Sequence, residues 1–159
     1  MEKFVVFGVI KSLHDLFTAL WIGGILTTAI SLMPTIRKSG VKPMPAALGA
    51  LNERYQRRLR IVALVSIIGL WITGILLGRQ AAGFTGMFQF TTPYGILISV
   101  KHLLIFVMVI VAVVRGFVLG GQFDTFSPSK KKLSAGLLML NSVLGVTVIF
   151  LSGISAAIG

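Results

Sequence analysis

The chain contains two histidines, His14 and His102, and each lies inside a long apolar stretch of the sequence. Lys11 and Asp15 lie close to the first histidine in sequence, and Lys101 directly precedes the second. Ionisable residues inside a membrane-spanning segment are costly and by default mark a functional site. A neutral imidazole is a common metal ligand, and two imidazoles on facing helices can supply both axial ligands of a haem iron. The residue types therefore predict a haem b site with His14 and His102 as the iron ligands.

Two other interpretations of the histidines remain open. Each imidazole can instead form a hydrogen bond to a neighbouring helix, as polar side chains do between membrane helices. Copper is the second alternative, because histidine and methionine both bind it. A methionine relay for copper is disfavoured, because the methionines form no Met-x-x-Met repeat, and the absence of cysteine excludes thiolate ligands. The methionines in question are Met33, Met44, Met87, Met108 and Met139.

The charged neighbours of the histidines have several possible roles. Lys11 and Asp15 are four residues apart and can neutralise each other on a helix, and Lys11 shares a face with His14. Asp15 can orient the imidazole from outside the ligand set, although it points about 100° away from His14 around the helix. Lys101 can pair with Asp15, contact a haem propionate or extend to the membrane surface. Arg79 is a second candidate partner for a propionate, so Lys11, Lys101 and Arg79 join the predicted cofactor-binding set.

Aromatic and glycine residues of the same helices complete that set. Trp21 and Trp71, with Phe17 and Phe106, can pack on a macrocycle or form ordinary core. Gly24 allows the close approach of a flat ring or of another helix. Trp21 and Gly24 are included in the predicted cofactor-binding set.

The elements that must position these residues are membrane helices. Of the 159 residues, 55% are hydrophobic and 12% are charged, and the mean hydropathy is +0.95. Each apolar stretch is long enough for a hydrocarbon core of about 30 Å, which requires about 20 helical residues. The sequence thus predicts an all-α integral membrane protein, a single domain with a bundle of four transmembrane helices. The helices are predicted at about 4–33, 59–77, 95–119 and 133–158, and residues 46–58 form either an amphipathic helix on the inner surface or an extension of the second helix.

The basic residues predict the orientation of the helices. The chain has 15 Lys and Arg residues and four Asp and Glu residues. The basic residues cluster in the first and third connections, and such clusters are typical of cytoplasmic loops. Both termini are therefore predicted to lie outside, and nucleic acid is not a predicted partner. His14 follows Phe4 by ten residues and His102 follows Gly95 by seven, or about 15 Å and about 10 Å along the helices. The two histidines are predicted to share a level in the outer half of the bundle.

The first helix resembles two related membrane families. The pattern His14-x6-Trp21-x-Gly23-Gly24 is similar to that of the copper resistance protein D (CopD) family. Lys11-x-x-His14, with a tryptophan at the same spacing, resembles the HemJ-type protoporphyrinogen oxidases. Further similarity lies in Glu53-Arg54-Tyr-Gln-Arg57-Arg58-Leu59, in Tyr94-Gly95 and in Lys101.

The resemblance implies a four-helix bundle. From the HemJ relatives it implies a b-type haem bound by His14 and a functionally important lysine at Lys101. This chain differs from those enzymes where Leu32-Met33-Pro34-Thr35-Ile36-Arg37 replaces a Pro-Arg and Tyr-His segment, which weakens the expectation of porphyrinogen oxidation. His102 lies outside the shared motif and favours a doubly ligated haem suited to electron transfer.

The predicted function is therefore that of a bis-histidine b-type cytochrome in the inner or plasma membrane. Its predicted partners are the lipid bilayer and redox subunits of a larger complex, and it is an electron-transfer protein rather than a stand-alone enzyme. The alternatives are a HemJ-like protoporphyrinogen oxidase and a CopD-like protein that transports or binds copper.

Overall fold

The computed structural model describes residues 2–32, 34, 46–80, 90–118 and 128–158. The regular secondary structure in these ranges is helical, with no strand. The elements are α1 (Glu2–Thr27), which continues into a π-helical segment (Thr28–Leu32), then α2 (Ala46–Gln80), α3 (Pro93–Val118) and α4 (Pro128–Ile158).

Each of the four α-helices in the described ranges is long and apolar enough to cross a membrane. The candidate spans are Lys3–Ser31, Glu53–Arg79, Pro93–Gly116 and Lys132–Ile158. The predicted all-α class with four transmembrane helices is confirmed. The location of both termini on the outer side stays a prediction.

The helix boundaries follow local backbone chemistry. Pro93 and Pro128 are the first residues of α3 and α4, where the proline ring has a helical φ and the missing N–H costs no hydrogen bond. Thr92 caps α3, because its hydroxyl oxygen accepts the Gly95 N–H at 3.0 Å. Residues 46–58 belong to the same continuous helix as the second span. Of the two interpretations of this segment, the structure therefore has the extension of the second helix.

Helices α1 and α2 pack against each other as an antiparallel pair. Gly24 lies opposite Leu59, whereas His14, earlier in α1, bonds Thr73, later in α2. Residue numbers therefore fall along α2 as they rise along α1. This register brings the C-terminal part of α2 to the first histidine.

The core joins α1 to α3 and α4. Trp21 and Ile22 of α1, Met108 of α3 and Val148 of α4 form a buried apolar cluster. A Cβ at Gly145 of α4 would lie 3.0 Å from Ile22, so α1 and α4 approach closely here because a side chain is missing. The cluster holds the two histidine-bearing helices, α1 and α3, in one bundle.

The outer surface of the bundle is apolar. Large side chains on every helix are exposed, including Phe4, Leu64, Phe106 and Phe150. Exposed apolar area of this extent is suited to lipid, in which every backbone polar group must be bonded internally. Several helical hydroxyls are also bonded internally: those of Thr18, Thr28, Ser142 and Thr147 donate to the carbonyl four residues earlier.

Candidate functional site

His14 is half-buried in α1 and reaches across to α2. Its Nδ1 lies 2.8 Å from Oγ1 of Thr73, a residue that is only 5% exposed. The Thr73 hydroxyl donates its single proton to the Gly69 carbonyl at 2.7 Å, so Oγ1 must act as the acceptor for the imidazole. His14 therefore carries its proton on Nδ1, and its Nε2 has a free lone pair.

His102 is half-buried in α3 and has the same tautomer. Its Nδ1 lies 2.8 Å from the carbonyl oxygen of Ile98, one turn earlier in the helix. A carbonyl oxygen can only accept, so Nδ1 donates and Nε2 again has a lone pair. Metal-binding histidines in proteins are commonly held in this way, with one ring nitrogen bonded to an oxygen and the other available to the metal.

The two histidines belong to one cluster of ionisable groups across α1 and α3. The ionisable groups close enough to act on the charge of His14 are Lys101, Asp15 and His102. Asp15 also acts on the half-buried Lys101. His14 follows the start of α1 by twelve residues and His102 follows the start of α3 by nine, or about 18 Å and about 14 Å along the helices. We refer to His14, Asp15, Lys101 and His102 as the histidine cluster.

The structure places the other predicted charged residues outside this cluster. Lys11 is exposed on α1, three residues before His14. Arg79 is exposed in the last turn of α2. Neither is among the groups that act on the charges of the two histidines. Their predicted contact with a cofactor stays a prediction.

The predicted aromatic and glycine residues have packing roles. Trp21 is 3% exposed in the core cluster, and Gly24 lies against Leu59 at the contact of α1 with α2. Trp71 and Phe106 are 49% and 57% exposed and face the lipid. The structure thus places Trp21 and Gly24 at helix contacts, and their predicted role in binding a macrocycle stays a prediction.

Three residues of α2 that position His14 were not among the predicted site residues. Thr73 accepts the imidazole proton. Gly74 leaves room for the ring, since a Cβ there would lie 3.6 Å from Cε1 of His14. At Gly69 a Cβ would clash with the ring of Phe17, one turn from His14. The available sequence signal was Thr73 itself, a polar residue in the apolar middle of a predicted span.

The donor set of the histidine cluster is small. In the described ranges, no group of three or more His, Cys, Asp or Glu side chains is arranged to hold a metal ion. The described residues therefore offer no ready-made metal site of three such side chains, and His14 and His102 are the candidate nitrogen ligands. Two imidazole nitrogens suit the axial positions of a haem iron or an ion that accepts low coordination.

Comparisons with known proteins identify the family. No curated protein and no solved structure matches the chain. The sequence model of the family named copper resistance protein D matches residues 53–155, a range that runs from α2 into α4 and includes Lys101 and His102. His14 and the motif of the first helix lie outside this match, so the family assignment is independent of them. The predicted CopD resemblance is confirmed, as is the multi-pass plasma membrane location. The chain belongs to the copper resistance protein D (CopD) family.

Proposed function

We propose that the protein binds copper(I) between Nε2 of His14 and Nε2 of His102 and moves it through the bundle. One observation carries the proposal: both imidazoles donate from Nδ1 to an oxygen, which leaves an Nε2 lone pair on each histidine. His102 is also within electrostatic range of His14. The name of the matching family, copper resistance protein D, supports copper as the ion.

The ligand type favours the monovalent ion. Copper(I) accepts two-coordinate binding by neutral nitrogen donors, whereas copper(II) prefers a larger, tetragonal set of nitrogen and oxygen ligands. The chain has no cysteine that could add a thiolate. A single positive charge is also less costly than two in the membrane interior. Copper(I) is therefore the cargo that two imidazoles fit best.

The charged neighbours moderate the binding. Asp15 favours a cation near His14, and Lys101 opposes it. A bound ion is thus attracted by one neighbour and repelled by the other. A transport site needs this balance, because an ion that is bound too tightly cannot leave.

A b-type haem is the second candidate, and Lys101 is the observation that favours it. The two Nε2 atoms could bind a haem iron, and the ammonium group of Lys101 could bind a propionate. A bound haem would supply one-electron transfer, in keeping with a redox subunit. The chain's own residues would bind the iron through His14 and His102 and hold a propionate at Lys101. Porphyrinogen oxidation is a further hypothesis that rests on the HemJ resemblance at Lys11 and His14.

Copper binding and visible spectra of the purified protein separate these functions. Wild type in detergent is loaded anaerobically with copper(I) and titrated with a chromogenic copper(I) chelator. We expect about one tightly held ion per chain, a loss of affinity greater than about 100-fold in His14→Ala and in His102→Ala, and no haem absorbance. Lys11→Ala, an exposed residue of the same helix, should bind as wild type does.

Three results decide against copper. Wild type that retains no copper in the presence of the chelator contradicts the proposal. A haem band in wild type that disappears in both histidine variants identifies haem as the ligand instead. A haem band that disappears only in His14→Ala would support a HemJ-like site with one histidine ligand.

A further inference from the structure

Arg115 lies in the last turn of α3, far from the histidine cluster, and its Nε has no hydrogen-bond partner. It follows His102 by thirteen residues, or about 20 Å along the helix. Its side chain is half-buried, and its Nε is shielded from solvent with no hydrogen-bond acceptor. A buried donor on a charged group costs free energy unless an acceptor reaches it. The packing therefore leaves one face of a guanidinium ready for an oxygen ligand.

The charged neighbour of Arg115 is another cation. Among the described residues, the charged group that acts on Arg115 is Arg60 of α2, and no carboxylate does so. Like charges repel each other, and an anion that binds near both guanidinium groups reduces this repulsion. Arg60 is exposed, so an anion can reach this guanidinium group from outside the bundle.

Ser134 of α4 adds a second donor without a partner. It is 0% exposed, and its Oγ has no hydrogen-bond partner. Other buried hydroxyls in the bundle, such as that of Ser142, donate to the carbonyl one turn earlier. Ser134 therefore retains a buried O–H that can donate to a ligand.

The helix pairing brings these donors to one membrane boundary. Arg115 is one residue from the end of the third candidate span at Gly116, and Ser134 is two residues from the start of the fourth at Lys132. These offsets correspond to about 1.5 Å and about 3 Å along helices α3 and α4, which pack together. Lys132 is exposed at the same boundary and adds positive charge. Lipid phosphates lie at this depth, between hydrocarbon and water.

We infer that Arg115, Arg60 and Ser134 form a binding site for a phosphate group at this boundary, separate from the histidine cluster. Guanidinium groups bind phosphate oxygens through two parallel N–H donors, and a serine hydroxyl can supply a third. The phosphate can belong to the headgroup of an anionic lipid or to a soluble phosphate. Both ligands present the same oxygens to the same donors, and the experiment below distinguishes them.

Ligand-dependent thermal stability in detergent tests the site. The probes are short-chain phosphatidylglycerol, short-chain phosphatidylcholine and inorganic phosphate, each titrated into wild type, Arg115→Met, Ser134→Ala and Arg79→Met. We expect phosphatidylglycerol to raise the melting temperature of wild type most. The half-maximal concentration should rise by about tenfold or more in Arg115→Met and by a smaller factor in Ser134→Ala. Arg79→Met, which removes an exposed arginine of α2, should respond as wild type does.

The outcomes separate the two sources of phosphate. Stabilisation by phosphatidylglycerol alone identifies a lipid headgroup, and equal stabilisation by inorganic phosphate identifies a soluble ligand. No stabilisation by any probe, or the same response in Arg115→Met as in wild type, overturns the site. Should Arg115→Met fail to fold, Ser134→Ala decides: an unchanged titration in that variant contradicts the inference.

Discussion

The histidine cluster and the proposed phosphate site of Arg115, Arg60 and Ser134, here called the Arg115 site, differ in which polar atoms are left without a hydrogen bond. At the histidine cluster each Nδ1 is bonded to an oxygen, and the atoms left over are Nε2 lone pairs. At the Arg115 site the unpaired atoms are Nε of Arg115 and Oγ of Ser134, and both are hydrogen-bond donors. Lone pairs attract cations and free donors attract anions, so the two regions are suited to ligands of opposite charge. The difference arises from the hydrogen-bond partners that each helix pair supplies.

The largest expected effect comes from the two histidines together. If both imidazoles bind the same ion, His14→Ala should lower copper affinity about as much as His14→Ala with His102→Ala, because the remaining histidine is not a site by itself. Chelator competition on the two single variants and the double variant measures this. If the losses of binding free energy in the two single variants add up to that in the double variant, the histidines belong to separate sites.

The packing of α1 on α2 gives the next effect. Gly69→Ala should lower the free energy of unfolding by about 1–3 kcal/mol, because the new methyl group would overlap the Phe17 ring. Gly153→Ala is the matched control: nothing lies within 4 Å of a Cβ there, and helix propensity predicts a gain of up to about 1 kcal/mol. Denaturation of both variants in detergent compares them. Equal stability would mean that α1 and α2 do not pack as described.

Removal of the acceptor for His14 should have a moderate effect on copper. Thr73→Val leaves Nδ1 without its oxygen, and loss of such a second partner lowers metal affinity by about tenfold or more. Thr147→Val is matched, since both hydroxyls donate to the carbonyl four residues earlier and only that of Thr73 accepts from a histidine. Chelator competition should separate the two variants. Identical copper affinities in the two variants would show that Thr73 does not support copper binding by His14.

The smallest effect concerns the unpaired serine of the Arg115 site. Without added phosphate, Ser134→Ala should leave stability unchanged or slightly raised, because its buried hydroxyl has no partner to lose. Ser142→Ala should lower stability by about 1 kcal/mol, since that hydroxyl bonds the Leu138 carbonyl. Thermal melts of the two variants provide the measurement. A loss in Ser134→Ala as large as that in Ser142→Ala would show that Ser134 already has a partner.

The four helices were predictable from the sequence because membrane-spanning helices consist of long apolar runs of residues. The start of α2 was not predictable, because a charged amphipathic segment such as 46–58 is compatible both with a separate surface helix and with an extension of the second helix. His14 and His102 were predictable because ionisable residues are rare in lipid. Their tautomers were not, because Thr73 is 59 residues from His14 and its role depends on helix register.

Arg115 was not singled out from the sequence, for a physical reason. A basic residue near the end of a span commonly extends its charge to the membrane surface, so its position alone carries no signal. Only the packing of α3 shields Nε and places Arg60 nearby. The unpaired donors of this region are therefore a property of the tertiary structure.

X-ray absorption at the copper edge of the copper(I)-loaded protein tests directly whether His14 and His102 bind the same ion. A shared site predicts a low-coordinate copper(I) ion with two imidazole nitrogen ligands. At copper concentrations high enough to load the weakened site, His102→Ala should lose one of these two ligands. Two imidazoles in wild type with a reduced number in the variant would establish the shared site. A thioether sulfur, or a single imidazole that is unchanged in His102→Ala, would contradict it.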